Sequence, residues 1–426
     1  MHIQNSNNAN QIADHLFRHE YGRILAVLTR IFGSGNLQIA EDITQDTLLT
    51  ALEKWRYQIP ENPQAWLYIT AKNKAVDYLR REKHFQKIAP QIPSGFDPNG
   101  AAVSVMDSLF LEHEIADSQL RMMFVLCHPD LAPEGQIALI LRTLSGFSVP
   151  EIAQAFLSTE STINKRLFRA RDKLRQLNIS LEVPEGPALV ERMSMVLKAI
   201  YLMFNEGYHS SGSNELIRQD LCFEAMRLCK ILTEHPHTNL SKTFAMMALL
   251  CFQASRLDAR LDESGSIILL KDQDRSLWNQ ELITWGFHYL DKSVKEEPVS
   301  TYHLEASIAA SYCMSTTYES IDWPFILGLY NRLLQENPSP VVRLNRAVVL
   351  GKVEGPTVAI KELCRLDSLK EYALYQAILA QLYSDQKDLP QAMKHYKKAL
   401  QLNASPAERS FLQQQITALK AQMGVS

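Results

Sequence analysis

The side chains best placed to do chemistry in this chain are cations. Between Ser161 and Arg175 stand Lys165, Arg166, Arg169, Arg171, Lys173 and Arg175 against a single acid, Asp172. Ile163, Leu167, Ala170 and Leu174 share one apolar helical face, so Ser161, Lys165 and Arg169 point the opposite way, with Arg166 and Arg171 on the shoulders. Such a face suits phosphate contacts and counterion release in a duplex groove. A solvated amphipathic helix would show the same charge bias. The preceding residues separate the two readings. Ile137, Ile140, Leu141 and Leu144 make one buried face, and Gly146 reads as its stop. Ser148 with Glu151 forms a capping box ahead of Val149, Ile152, Ala153 and Phe156. A turn at Leu157-Ser158-Thr159 then enters the basic helix, so Glu134 to Arg175 reads as a helix-turn-helix.

Two further clusters lie upstream. The helix AWLYITAKNKAVDYLRRE is expected to bury Ala65, Ile69, Val76 and Leu79, leaving Lys74, Tyr78 and Arg81 together on the far side. Cations that track phosphates beside a ring that stacks on a base suit single-stranded nucleic acid, although surface decoration gives the same pattern. Before it, Ala40-Glu41-Asp42-Ile43-Thr44-Gln45-Asp46 opens a helix with acids that either favour the helix dipole or face outward to a basic partner. Ile24, Val27, Leu28 and Ile31 form one core stripe of this first segment; Leu48, Ala51, Leu52 and Trp55 form another. Residues 88–119 are broken by Pro90, Pro93, Gly95, Pro98 and Gly100, and hold Asp97, Asp107, Glu112, Glu114 and Asp117 with no Lys or Arg. That stretch reads as an acidic linker.

Composition bounds the partners. At 426 residues, 46% hydrophobic and 21% charged, the chain is an ordinary globular sequence of about two to four domains. A net charge of −3 confines nucleic-acid binding to local patches. No run approaches the ~18 apolar residues of a membrane span, and no secretion signal is visible, so a cytoplasmic location is expected. Cys127, Cys222, Cys229, Cys251, Cys313 and Cys364 lack metal-ligand spacing and read as reduced, buried thiols. With no glycine-rich nucleotide loop and no ligand cluster, neither a metal nor a cofactor is expected, nor an enzyme.

In their order and spacing these segments resemble the extracytoplasmic-function (ECF) subfamily of bacterial sigma-70 factors over roughly the first 178 residues. AEDITQDTLLTALEKW resembles the helix that docks on the clamp of core RNA polymerase, NPQAWLYITAKNKAVDYLRRE the segment that captures and melts the −10 element, and residues 134–175 the domain that reads the −35 element. The resemblance implies polymerase contacts at Asp42, Gln45 and Asp46. It implies −10 DNA contacts at Asn73, Lys74, Tyr78 and Arg81, with the Ile59–Gln64 loop near the flipped base, and −35 contacts at Ser161, Thr162, Lys165, Arg166 and Arg169. The chain departs from the family pattern at Asn164-Lys165, where a basic residue followed by serine is commoner, and in a turn without glycine.

Some 240 residues remain. They read as successive helices, 195–210, 215–235, 243–262, 266–294 and 301–316, and then an internal repeat: Ala347, Leu350, Ala359 and Leu363 recur as Ala380, Tyr383, Ala392 and Tyr396, at an offset of about one tetratricopeptide unit. This resembles the ECF subgroup with a long tetratricopeptide-like extension. The expected fold is all-α: sigma region 2 at 1–87, a flexible acidic linker at 88–117, a region 4 helix-turn-helix at 118–178, a helical extension at 182–300 and helical repeats at 301–426. The expected partners are core RNA polymerase, promoter DNA and a protein, peptide or small-molecule ligand of the repeats, with no membrane. The competing reading is a one-component helix-turn-helix regulator with a ligand-sensing repeat domain.

Overall fold

A computed structural model describes residues 2–81, 106, 108–156, 158–209, 217–263, 265–294, 298–402 and 405–423. Among these residues the regular structure is helical, apart from one isolated antiparallel bridge between Leu261 and Ile267. None of these helices is long and apolar enough to cross a membrane. The chain divides into two compact units, Met1–Ala199 and Ile200–Ser426.

The first unit begins with three packed helices, α1 (His2–Phe32), α2 (Leu37–Trp55) and α3 (Pro63–Arg81). Ile24, Val27, Leu28 and Ile31 are buried as the spacing predicts. On α3 the phase differs from the prediction: Leu67, Ala71, Ala75 and Leu79 are buried, Ala65 and Val76 are half-buried and Ile69 is exposed. Two alanines on the inner face let the α3 backbone approach its neighbours, and close approach outweighs the hydropathy of the branched side chains. On α2, Leu52 is exposed and Leu48 and Trp55 are half-buried, while Thr44 and Thr47 go inside. Their hydroxyls donate to the carbonyls of Ala40 and Ile43, both at 2.8 Å, so burial leaves no polar group unmet.

Helix α4 (Glu112–Leu126) corrects the linker reading. The last residues of the expected 88–117 linker are helical and lie along α1. Arg23 pairs with Glu112, and Arg30 pairs with Glu114 at 2.7 Å and Asp117 at 3.1 Å, so these acids meet cations of α1, Asp117 also pairing with Arg121 of its own helix at 2.6 Å. Residues 88–105 and Asp107, with the expected prolines, lie outside the described residues.

Helices α5 (Pro133–Thr143), α6 (Val149–Ala155) and α7 (Glu160–Leu177) form the helix-turn-helix. Gly146 adopts φ +68°, a left-handed conformation that glycine takes without strain. The Ser148 amide donates to Glu151 Oε2 at 2.8 Å, and the Glu151 amide donates to Ser148 Oγ at 3.4 Å, completing the capping box. Thr159 caps α7 by accepting from the Thr162 amide at 3.2 Å; Leu157, in the expected turn, lies outside the described residues. At Gly22 on α1, a Cβ atom would meet the carbonyl oxygen of Leu144 at 1.9 Å, so the end of α5 seats directly on the α1 backbone.

Helix α8 (Gly186–Tyr208) contains the division between the units, and the expected boundary at 300/301 falls inside the second. Among the described residues of that unit, α10 (Ser241–Ala254) is central, apolar nearly all round and packed against α9 (Gln219–Glu234), α11 (Gln280–Ser293) and α12 (Thr301–Met314). The helix expected over 243–262 stops at Ala254. Short 3-10 turns at Leu257–Ala259, Leu270–Asp272 and Arg275–Leu277 fill the interval to α11. Six helices follow: α13 (Trp323–Glu336), α14 (Pro340–Val353), α15 (Pro356–Leu363), α16 (Ala373–Asp385), α17 (Leu389–Gln401) and α18 (Pro406–Met423). Asp322, Ser339 and Asp388 cap α13, α14 and α17, each with a proline in the first turn, where its missing N–H costs nothing. Ala347, Ala359, Ala380, Ala392 and Ala399 are fully buried where these helices pack.

The described cysteines are free. Cys127, Cys222, Cys229 and Cys251 are buried as expected, and burial pushes the Cys127 thiol up to about 12. Cys313 is half-buried and Cys364 exposed. Cys364 sits at the C-cap of α15, just past the last buried position of that helix face.

Candidate nucleic-acid interface

Burial of Ile163, Leu167, Ala170 and Leu174 fixes the orientation of α7. Ser161, Lys165 and Arg169 are exposed on the opposite side, and Thr162 and Arg166 are half-buried at its edges. Lys165, Arg166 and Arg169 make no ion pair among the described residues, which leaves their charges available to phosphate. Phe168, 69% exposed, stands on the same face and was missed from sequence. Its signal was positional, one helical turn beyond Asn164 and between Lys165 and Arg169. An aromatic ring presented among cations suits apolar contact with a thymine methyl beside phosphate and base-edge hydrogen bonds.

One expectation about charge is corrected. Arg171, on the shoulder of the cationic face, donates from Nη2 to Glu41 Oε1 at 2.7 Å. Glu41 in turn is 2% exposed, not outward, and sits in the second turn of α2, where no acid occupies the first. This pair ties α7 to α2. Arg175 is also engaged, by Asp172 at 2.6 Å.

The expected polymerase residues do share a surface. Asp42, Gln45 and Asp46 are exposed on α2, and Leu49 (58% exposed) and Leu52 (40% exposed) continue the same face. Asp42 accepts from Gln38 at 2.9 Å. Asp46 pairs with Lys74 of α3 at 2.6 Å, so one expected polymerase residue and one expected DNA residue neutralise each other across the helix pair.

On α3, Asn73 and Arg81 are exposed, whereas Tyr78 is half-buried with its ring edge-on to Phe32 at 5.6 Å between centroids. The loop expected over Ile59–Gln64 ends at Asn62, whose Oδ1 accepts from the Ala65 amide at 3.0 Å; Pro63 and Gln64 already belong to α3. Within the preceding break Tyr57 is 93% exposed, a ring with no packing role. It too was missed, although an aromatic in a proline-bounded break is a readable signal.

A buried network holds these elements in register. Tyr68 Oη of α3 donates to Glu20 of α1 at 2.5 Å, and Arg23 approaches the same carboxylate at 3.6 Å. Burial pushes the Glu20 carboxyl up, but hydrogen bonds from His19 and Tyr68 and the Arg23 charge outweigh it and hold Glu20 below the ordinary 4.5.

Comparison with known proteins gives the same order of parts. Residues 16–85 match sigma-70 region 2, residues 121–174 match sigma-70, region 4, and residues 192–294 match a family of unknown function, DUF6596. An uncharacterized protein of Rhizobium meliloti is 34% identical over 390 residues, 91% of either chain. The ECF RNA polymerase sigma factor SigE of Mycolicibacterium smegmatis is 26% identical over 162 residues, 38% of this chain and 60% of that protein. The RNA polymerase sigma factor CarQ of Myxococcus xanthus is 27% identical over 169 residues, 39% of this chain and 90% of that one. A helical region 2, a helix-turn-helix region 4 with a cationic outer face and a long helical extension, in that order, place the chain in the ECF subfamily of the sigma-70 family, as a factor that directs transcription initiation.

Proposed function

We propose that the α2 face formed by Asp42, Gln45, Asp46, Leu49 and Leu52 is the surface that engages core RNA polymerase. The supporting observation is that two large leucines stand exposed beside unburied acids on a helix whose other side is packed. Apolar side chains so placed gain most from a partner that also brings cations. Asn73, Lys74, Tyr78 and Arg81, with Tyr57 added from the neighbouring break, line the opened −10 strand. Tyr57 is the ring free to stack on an unpaired base. Ser161, Thr162, Lys165, Arg166 and Arg169, joined by Asn164 and Phe168, read the −35 duplex. The family consists of initiation factors that bind core polymerase and promoter DNA and leave the chemistry to the polymerase. The helices beyond Leu181, tetratricopeptide-like in their alanine-packed hairpins, modulate that activity.

The test is binding of core polymerase by Asp42→Lys/Asp46→Lys and, separately, by Leu49→Ala/Leu52→Ala. Each pair should weaken core binding at least tenfold with unchanged helicity. Wild-type affinity in both would refute the assignment. Asp46→Lys also removes the Lys74 pair, but that pair is exposed and contributes only about 0–1 kcal/mol to the fold.

A further inference from the structure

The second unit contains a cavity of about 390 Å³, within the range of small-molecule sites. It opens between α12, α13, α14, α16 and the last two helices, with the 3-10 turn at Leu270–Asp272 along one side. Its walls are mainly apolar, with aromatic rings from Tyr312, Tyr318, Trp323, Tyr330, Tyr396 and Phe411 among aliphatic side chains. Among the polar groups, the Asn345 and Gln381 amides and the tyrosine hydroxyls donate and accept, with Gln381 Oε1 accepting from the Tyr396 hydroxyl at 3.1 Å, while the two lysines donate only. Lys271 and Lys352, both exposed, border the cavity, and neither has a carboxylate partner among the described residues; the Lys352 ammonium stands 5.9 Å from the Tyr318 ring centre. The Asn345 amide and the Tyr312 and Tyr330 hydroxyls likewise have no side-chain hydrogen-bond partner among the described residues. Both phenols are protonated at neutral pH, and burial pushes Tyr312 further up, to about 12, and raises Tyr330 as well. The one acid of the lining, Asp385, is exposed and already accepts from Gln381 at 2.8 Å.

An apolar cavity rich in aromatic rings, bordered by two ammonium groups without carboxylate partners among the described residues, suits a ligand that brings negative charge. We propose that it binds a small amphipathic organic anion, with an aromatic or acyl body against the rings and a carboxylate, sulfonate or phosphate head toward the lysines. A neutral apolar ligand would gain nothing from the two ammonium groups, and an organic cation would meet like charge at Lys271 and Lys352. A ligand of about twenty non-hydrogen atoms fits the volume. The site lies wholly within the second unit.

The test uses the full chain and two fluorescent probes with the same arylamine body: 8-anilinonaphthalene-1-sulfonate, which is anionic, and N-phenyl-1-naphthylamine, which is neutral. The anionic probe should bind saturably, one per chain. Lys352→Met and Lys271→Met should each weaken it threefold to tenfold while changing the neutral probe by less than twofold. Ala377→Trp, which fills the cavity from α16, should remove both. Thermal unfolding of each variant checks its fold, and the two lysine changes carry the test if the tryptophan variant does not fold. Anionic probe binding that ignores all three substitutions, or lysine changes that weaken both probes equally, would overturn the proposal.

Discussion

Breaking the Glu41–Arg171 pair should loosen the helix-turn-helix from the region 2 helices by a measurable amount. The carboxylate is buried, the N–O distance is 2.7 Å, and the Arg171 side chain is 25% exposed. Removing one partner of a fully buried pair costs about 3–5 kcal/mol, because the other charge is left unpaired. Water reaching Glu41 through the space Arg171 vacates reduces this to about 2–3 kcal/mol. At 1.4 kcal/mol per tenfold, Arg171→Met should speed amide exchange in peptides of α7 by about 30- to 150-fold. Peptides from α16 and α17 in the other unit should be unchanged. Adding Glu41→Gln should recover part of the loss, with a coupling energy of about 1–3 kcal/mol in the double-mutant cycle. Hydrogen exchange read by mass spectrometry measures all four variants. A change below threefold in Arg171→Met, or effects of the two substitutions that simply add, would refute the claim that this pair fastens the two elements.

Gly22→Ala should destabilise the first unit by more than ~2 kcal/mol, because the new methyl must displace the Leu144 backbone; urea unfolding followed at Trp55 and Trp66 would show it. The acid limb of stability should depend on Glu20. Its folded pKa lies below the ordinary 4.5, so its contribution is complete above that value and is lost as pH falls through the lowered one. Glu20→Gln should therefore cost stability at pH 7 and flatten the decline below about pH 4, as pH-dependent denaturation would show. For DNA, Arg169→Ala should lower duplex affinity and reduce the slope of log K against log salt by about one, whereas Phe168→Ala should lower affinity and leave the slope intact.

What was legible in the sequence follows the range of the interactions. Helix starts were readable because capping is local: Ser148 and Glu151 lie three residues apart and close their box within one turn. The outward face of α7 was readable because Ile163, Leu167, Ala170 and Leu174 leave only one side for the cations. The α3 phase was not, since its inner face is set by Ala71 and Ala75, whose value lies in close approach rather than hydropathy. The partners of Glu41 and Glu112 were also hidden. Arg171 and Arg23 lie far along the chain, and nothing local distinguishes a carboxylate that meets a distant guanidinium from one that faces water. Tyr57 and Phe168 were overlooked for the opposite reason. Aromatic residues read as core by default, and only their exposure marks them as candidates for contact.

The most direct test of the central claim is reconstituted run-off transcription, with purified core RNA polymerase and this chain as the only initiation factor, across a pool of bacterial promoter fragments. Initiation from discrete start sites is predicted, lost with Asp42→Lys/Asp46→Lys and weakened with Arg169→Ala. Tight duplex binding by the chain alone, with no specific transcript from core polymerase at any promoter, would contradict it.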